Sequence, residues 1–345
     1  MTRIAIEIGD VGLGSVSDSG AVGVASPGYA LLEGSRLVVG EAARAVSRIK
    51  PRFVSHRYWD QLDQSPVGRP FPRGLSHADL AHSQLSEHFD ALLVSLGENL
   101  AGVSVLFAVP GSYSVDQLSL LLGIARASDI PVTGLIDSSL AALERPTPSD
   151  RALVLDVLMH RAVWTVLHRA DDLSRERVES VEGAGLAKFG EVWVKLVAER
   201  FVHETRFDPL HRATTEQSLF DHLPAWVGEV RAHGSAVLEL EASGRPLTVD
   251  ITAPQLVRAS AAQLGSLVEA GRRLAQSVGD CSLVVTSRAA SIPGLAERLA
   301  TIVDQAPIEL PAGAAPAGAL RRHHLIESPG RQLPFVTRLP WDAYV

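Results

Sequence analysis

The chain has 345 residues, enough for one large bilobal domain or two to three ordinary ones, and its 46% hydrophobic and 21% charged residues are globular proportions. A net charge of -7 with no long Lys/Arg run argues against general nucleic-acid binding, and 5% aromatic content gives no stacking platform for single strands. The one cysteine, Cys281, excludes an internal disulfide and a thiolate metal site, and with no apolar run of about 18 residues and no leader-like start the expectation is a cytoplasmic protein without a membrane span.

Ile4 to Ile8 alternates as a strand, and the Gly-rich segment from Gly9 to Ser15 is expected to turn before a second strand at Gly20 to Ala25. Tyr29 to Leu32 and Arg36 to Val39 predict two short strands, followed by helical composition from Gly40 to Val46. Residues 60 to 76, rich in Pro and Gly, predict a loop. Ser83 to Asn99 carries Leu85, Phe89, Leu92, Leu93 and Leu96 at helical spacing. Val103 to Val109 is an apolar strand broken by Pro110-Gly111-Ser112. Ser114 is a good N-cap for a helix to Ala127. Pro131 to Ile136 predicts a strand and Ser138 to Leu143 a helix.

Pro146 to Asp150 marks a crossing, after which the pattern begins again. Ala152 to Val157 and Ala162 to Leu167 form a strand pair. Ser282 to Val285 predicts a strand, 286 to 291 a loop, Pro293 to Asp304 a helix, Ile308 to Leu310 a strand and Ala314 to Leu320 a helix. Between them, residues 190 to 280 are expected to hold two helices and a hairpin, Ala236 to Leu240 and Leu247 to Ile251, with Ser243 to Arg245 in its loop. An internal duplication of this kind decides the fold more than any single motif.

The layout resembles the actin/DnaK/sugar-kinase superfamily. Segments are similar to the nucleotide-binding domain of DnaK-type heat-shock chaperones in particular. Val105-Leu-Phe-Ala-Val-Pro-Gly-Ser-Tyr resembles "VITVPAYF", Gly134-Leu-Ile-Asp-Ser-Ser-Leu-Ala-Ala-Leu resembles "IINEPTAAAL", and Leu37-Val-Val-Gly-Glu-Ala-Ala resembles "LVGQAAK". Thr252-Ala-Pro-Gln-Leu is similar to the start of "ITRARFEEL", and Ile292-Pro-Gly-Leu ends a loop as in "GGSxxIPGL". The resemblance implies a bilobal actin-like ATPase (ribonuclease-H-like) α/β fold, made of two duplicated halves each with an inserted subdomain. The first lobe would span 1–147 (core 1–35 and 103–147, insertion 36–102). The second would span 148–330 (core 148–190 and 280–330, insertion 191–279), with a C-terminal tail at 331–345. It also implies that the chain ends where an ATPase domain ends, without a peptide-binding domain.

In that family two Gly-rich turns approach the ATP phosphates, an Asp in each positions magnesium, and a carboxylate or amide orients water. Here Glu7-Ile-Gly9-Asp10-Val stands for Asp-Leu-Gly-Thr-Thr, so Asp10 puts a negative charge where hydroxyls face phosphate. Asp10 could equally make an Asx-turn. Asp156 survives in the second turn, but Leu158, Met159 and His160 replace three glycines and would occupy the phosphate space. His160-Arg161 could bind an anion or simply end a strand. Ser138 falls where the catalytic Glu would be, with Asp137 beside it. Ser287-Arg288, after Thr286, replaces the adenosine glycine pair, so Arg288 should fill or close the adenine slot. Glycines are also replaced at Lys188-Phe189, the ribose and adenine contacts are missing near Pro224 to Val230, and Arg57 matches either a family lysine or a surface arginine.

The leading expectation is therefore a DnaK-like pseudo-ATPase acting as a scaffold or protein-partner module. No cofactor and no resident metal are expected in that reading. A second reading is a remodelled ATP/Mg switch in which Glu7, Asp10, Asp137 and Asp156 gather around magnesium. A third is a cleft for another anionic ligand, lined by Arg57, His160, Arg161 and Arg288. The twelve histidines lack metal-ligand spacing, and the Pro-broken tail from Leu333 is expected to pack back on the body.

Overall fold

A computed structural model describes residues 2–20, 22–242, 244–328 and 333–341. The chain opens on three antiparallel strands, β1 (Thr2–Glu7), β2 (Gly12–Ser17) and β3 (Val22–Pro27), where the sequence predicted two. The Gly-rich segment turns only at Gly9 to Val11, because Gly12 and Gly14 belong to β2. A Cβ at Gly12 would stand 2.3 Å from the carbonyl oxygen of Ser26, so this glycine permits close strand approach rather than a turn. Ala21, inside the expected second strand, lies outside the described residues.

A small sheet follows from β4 (Ala30–Glu33), β5 (Arg36–Val39) and β6 (Val54–Ser55). The helix expected from Ser83 spans His77–Leu96 instead. Ser76 and Asp79 form a reciprocal capping box that starts it early, and Gly97 closes it in the left-handed conformation. Next come β7 (Val103–Val109), buried at every position, and a helix Val115–Ala127 capped by Ser114 with Gln117. Strand β8 (Val132–Asp137) and a short helix Ser138–Ala142 complete this half.

The second half begins with β9 (Arg151–Val157), β10 (Arg161–Arg169) and β11 (Asp172–Glu182). The sequence predicted no third strand there. Helices Leu186–Thr205 and Ala213–His233 precede the hairpin β12 (Ser235–Ala242) and β13 (Arg245–Thr252). Of its expected loop, Ser243 lies outside the described residues. Two further helices, Ala253–Ala259 and Ala261–Val278, exceed the two predicted for this insertion. Strand β14 (Ser282–Val285), helices Ser287–Ala290 and Leu295–Val303, β15 (Ile308–Glu309) and helix Ala314–Arg321 follow. Last are β16 (Phe335–Val336) and β17 (Arg338–Pro340).

Two six-stranded sheets organise the molecule, ordered β16-β8-β7-β1-β2-β3 and β15-β14-β9-β10-β11-β17. Setting the tail strands aside and counting only the strands within each sheet in chain order, both sheets run third, second, first, fourth, fifth. The first three are antiparallel, and the fourth and fifth run parallel to the first. The repeat seen as a sequence pattern is thus a repeat of topology and strand sense.

Each half has its own apolar core, around Phe107 and Trp59 in the first and around Trp164 and Phe201 in the second. A third cluster joins the halves and is rich in small residues, including Ala5, Ala108, Ala141, Ala152, Ala315 and Ala319. Helices Ser138–Ala142 and Ala314–Arg321 meet there backbone to backbone: a Cβ on Gly318 would lie 1.9 Å from the carbonyl oxygen of Ala141. Small side chains bring the two sheets close, so the ends of β1 and β9 face one another across a narrow cleft.

Candidate functional site

The turns after β1 and β9 reach towards each other across the cleft. Gly9 makes the first turn with its carbonyl accepting from Gly12 N–H at 3.2 Å, and a Cβ there would meet nothing within 4 Å. The second turn, Leu158-Met159-His160, is held by helix Leu186–Thr205. Leu186 and Ala187 donate backbone N–H groups to the carbonyls of Leu158 and Met159 at 2.8 and 2.9 Å. Gly185 allows this contact, since a Cβ there would be 2.4 Å from the carbonyl carbon of His160. The helix start therefore leaves the N–H groups of Met159 and His160 directed at the first turn.

Those two N–H groups donate to the carboxylate of Asp10, at 2.9 and 3.0 Å. Asp10 is buried, and burial raises its carboxyl above the ordinary value, against the pull of these two donors and the nearby His160 ring. The expected local Asx-turn is not made: the Asp10 carboxylate crosses to the other half. Next to it, the His160 ring stacks on His56 at a centroid distance of 5.0 Å. Its Nε2 lies 3.1 Å from His56 Nδ1 and 2.9 Å from the His56 carbonyl oxygen. Arg161 pairs with Asp60 at 2.6 Å and with Glu182 at 3.1 Å.

A second junction lies on the cleft floor. The Arg288 guanidinium donates to Glu7 Oε1 at 2.6 Å and to Asp156 at 2.7 and 3.0 Å, while the Thr286 hydroxyl donates to Asp156 at 2.7 Å. Burial works against the Arg288 charge, yet Asp156 and Glu7 outweigh it and hold the guanidinium well above its ordinary pKa. Arg288, expected to fill or close the adenine slot, stands in helix Ser287–Ala290 with its guanidinium on the two carboxylates. Ser138, Ser139, Ser287 and Gly313 line what space remains, a cavity of about 20 Å³. That is room for about one water, against roughly 300–1,000 Å³ for an ordinary ligand site.

Asp137 stands apart from both junctions. It caps helix Ser138–Ala142 by accepting from the N–H groups of Ser139 and Leu140, and it pairs with Arg175 of β11 at 2.8 Å. Burial raises its carboxyl above the ordinary value against the pull of Arg175. The four acids expected around magnesium thus divide among Arg288, the Met159–His160 turn and Arg175. Among the described residues no group of three or more His, Cys, Asp or Glu side chains could hold a metal ion.

The arginines of the anion reading do not converge either. Arg161 and Arg288 are neutralised by carboxylates, and Arg57 is exposed beside buried Tyr58 and Trp59. Sequence reasoning missed His56, Asp60 and Arg175, whose partners lie 38 to 104 positions away and leave no local signal.

The insertions also meet across the cleft mouth. Buried Gln217 accepts from Arg48 N–H at 2.8 Å and donates to the Arg44 carbonyl at 3.2 Å. Arg44 reaches Asp221 at 3.0 Å, and Arg48 lies 3.6 Å over the Phe220 ring. A larger cavity of about 850 Å³ opens elsewhere, between Ala142–Thr147 and Ile308–Pro311, and none of the expected cleft residues lines it.

Two histidines give the molecule a pH dependence. Burial lowers His56 and His88 to about 4 from an ordinary 6.5, and His88 Nε2 has no hydrogen-bond partner. Between pH 6.5 and 4 the unfolded chain binds protons at these rings that the folded chain does not. Stability present above pH 6.5 is therefore lost as pH falls towards 4, by about 1.4 kcal/mol per pH unit for each ring. Urea unfolding between pH 7 and 4.5 should show His88→Leu with a shallower dependence by about that amount; an unchanged slope would mean that His88 is protonated when folded.

No protein-family model matches the chain, and no curated protein sequence matches it. Among the described residues no helix is long and apolar enough to cross a membrane.

Proposed function

We propose that the chain is a DnaK-like member of the actin/DnaK/sugar-kinase group that has replaced nucleotide with its own side chains and serves as a scaffold or partner-binding module. The repeated strand order and sense support the bilobal reading, with lobes at 1–147 and 148–330. The observation that carries the loss of ATP chemistry is Asp10 seated on the N–H groups of Met159 and His160. In the family such backbone donors face phosphate; here an internal carboxylate takes the anion's part. Arg288 between Glu7 and Asp156 correspondingly supplies the positive charge that magnesium supplies to the paired acids of the family. With about 20 Å³ left at the floor, binding of ATP requires both junctions to break.

The remodelled ATP/Mg switch is the weaker reading, because it needs four carboxylates to abandon their present partners. Isothermal titration with ATP and magnesium tests both. No binding tighter than roughly 1 mM and no phosphate release are expected. Submillimolar binding accompanied by phosphate release would replace the scaffold reading with the switch.

A further inference from the structure

The described part of the tail, residues 333–341, contributes one strand to each large sheet. Phe335 and Val336 pair in parallel with Leu135 and Ile136 at the β8 edge of the first. Arg338, Leu339 and Pro340 pair antiparallel with Ser174, Leu173 and Asp172 at the β11 edge of the second. Only Thr337 separates the two strands, and its carbonyl accepts from Arg175 N–H at 2.9 Å. Two extended residue steps span at most about 7 Å, so the tail fixes the separation of the two sheet edges while both strands are docked.

Arg175 ties this segment to the cleft. Besides its backbone bond to Thr337, its guanidinium lies 5.2 Å from the Phe335 ring centre and pairs with Asp137 of the opposite half. Asp137 in turn caps the helix whose Ser138 and Ser139 line the cleft floor beside Glu7, Asp156 and Arg288. Leu339 is the anchor, buried in the cluster of small residues that joins the halves. Strands of two and three residues at sheet edges are held by few hydrogen bonds, which places the segment at the low end of local stability.

We propose that residues 333–341 form a releasable strap, and that separation of the two halves at the cleft requires the strap to leave one of its two sheets. The strap is thus the element through which a partner could set cleft opening. This rests on strand pairing and chain reach, and it stands whether or not the cleft ever receives a nucleotide.

Hydrogen exchange on the full chain tests it, comparing the wild type with Leu339→Asp. Peptides covering 333–341 should lose protection in the variant. The Met159 and His160 amides, held by Asp10 across the cleft, should then exchange about tenfold faster or more, while β7 and β14 peptides keep their protection. If β7 also loses protection, the milder pair Phe335→Ala/Trp341→Ala replaces it under the same comparison. A deprotected strap with Met159 and His160 rates within about twofold of wild type would overturn the proposal.

Discussion

Replacing Arg288 by methionine is expected to lower unfolding free energy by about 3–5 kcal/mol, the cost of removing one partner from an ionic group that is mostly buried, the Arg288 side chain being 25% exposed. Two acids from opposite halves, Glu7 and Asp156, bond to the same guanidinium nitrogen at 2.6 and 2.7 Å. Without it they face each other in a cavity with room for about one water. An exposed ion pair would contribute no more than about 1 kcal/mol, so the size of the loss separates a cleft-floor junction from a surface contact. The triple variant Glu7→Gln/Asp156→Asn/Arg288→Met should recover much of the loss, since it leaves no buried charge. Urea denaturation of the three proteins decides the matter. A loss below about 1 kcal/mol in Arg288→Met would place the arginine outside the cleft floor in solution.

Arg175→Met is expected to be as damaging, about 3–5 kcal/mol, for a related reason at the other end of the interface. Asp137 is fully buried, and Arg175 is the cation paired with it. Its carboxyl already lies above its ordinary value, and loss of the arginine raises it further. A carboxyl raised on folding gives its stability below the unfolded value and loses it as pH rises through the folded one. The deficit of Arg175→Met should therefore be largest at neutral pH and shrink on acidification towards pH 4. Adding Asp137→Asn should restore most of it, because the amide oxygen still caps Ser139 and Leu140. Thermal and urea unfolding at pH 7 and pH 4.5 measure both effects. A pH-independent deficit would mean that packing of Arg175, rather than its charge, is what the fold uses.

These two arginines illustrate what could be read along the chain. Val103 to Leu143 was legible almost residue by residue: an apolar run, a Pro-Gly break and a capping serine are local signals that tertiary packing reinforces. By contrast, β11 was missed because Asp172 to Glu182 is rich in charge and alternates poorly; it is a strand because β10 supplies its hydrogen bonds. The tail strands carry too few residues for any periodicity, and only the sheet edges define them. The bulky turn Leu158-Met159-His160 was visible in the sequence, but not that Asp10 crosses from the other half to its N–H groups.

By itself the sequence determined the repeated order of strands and helices, because hydrophobic period, caps and breakers act within a few residues of one another. It also determined that the two turns carry Asp10 and the bulky Leu158, Met159 and His160. Only the tertiary structure decided the fate of those charges. Asp10 finds the Met159 and His160 N–H groups 149 and 150 positions away, and Arg288 finds Glu7 281 positions away. Such pairings arise when small residues such as Ala141 and Gly318 let the halves close on each other, and a buried charge must then find a partner or be expelled.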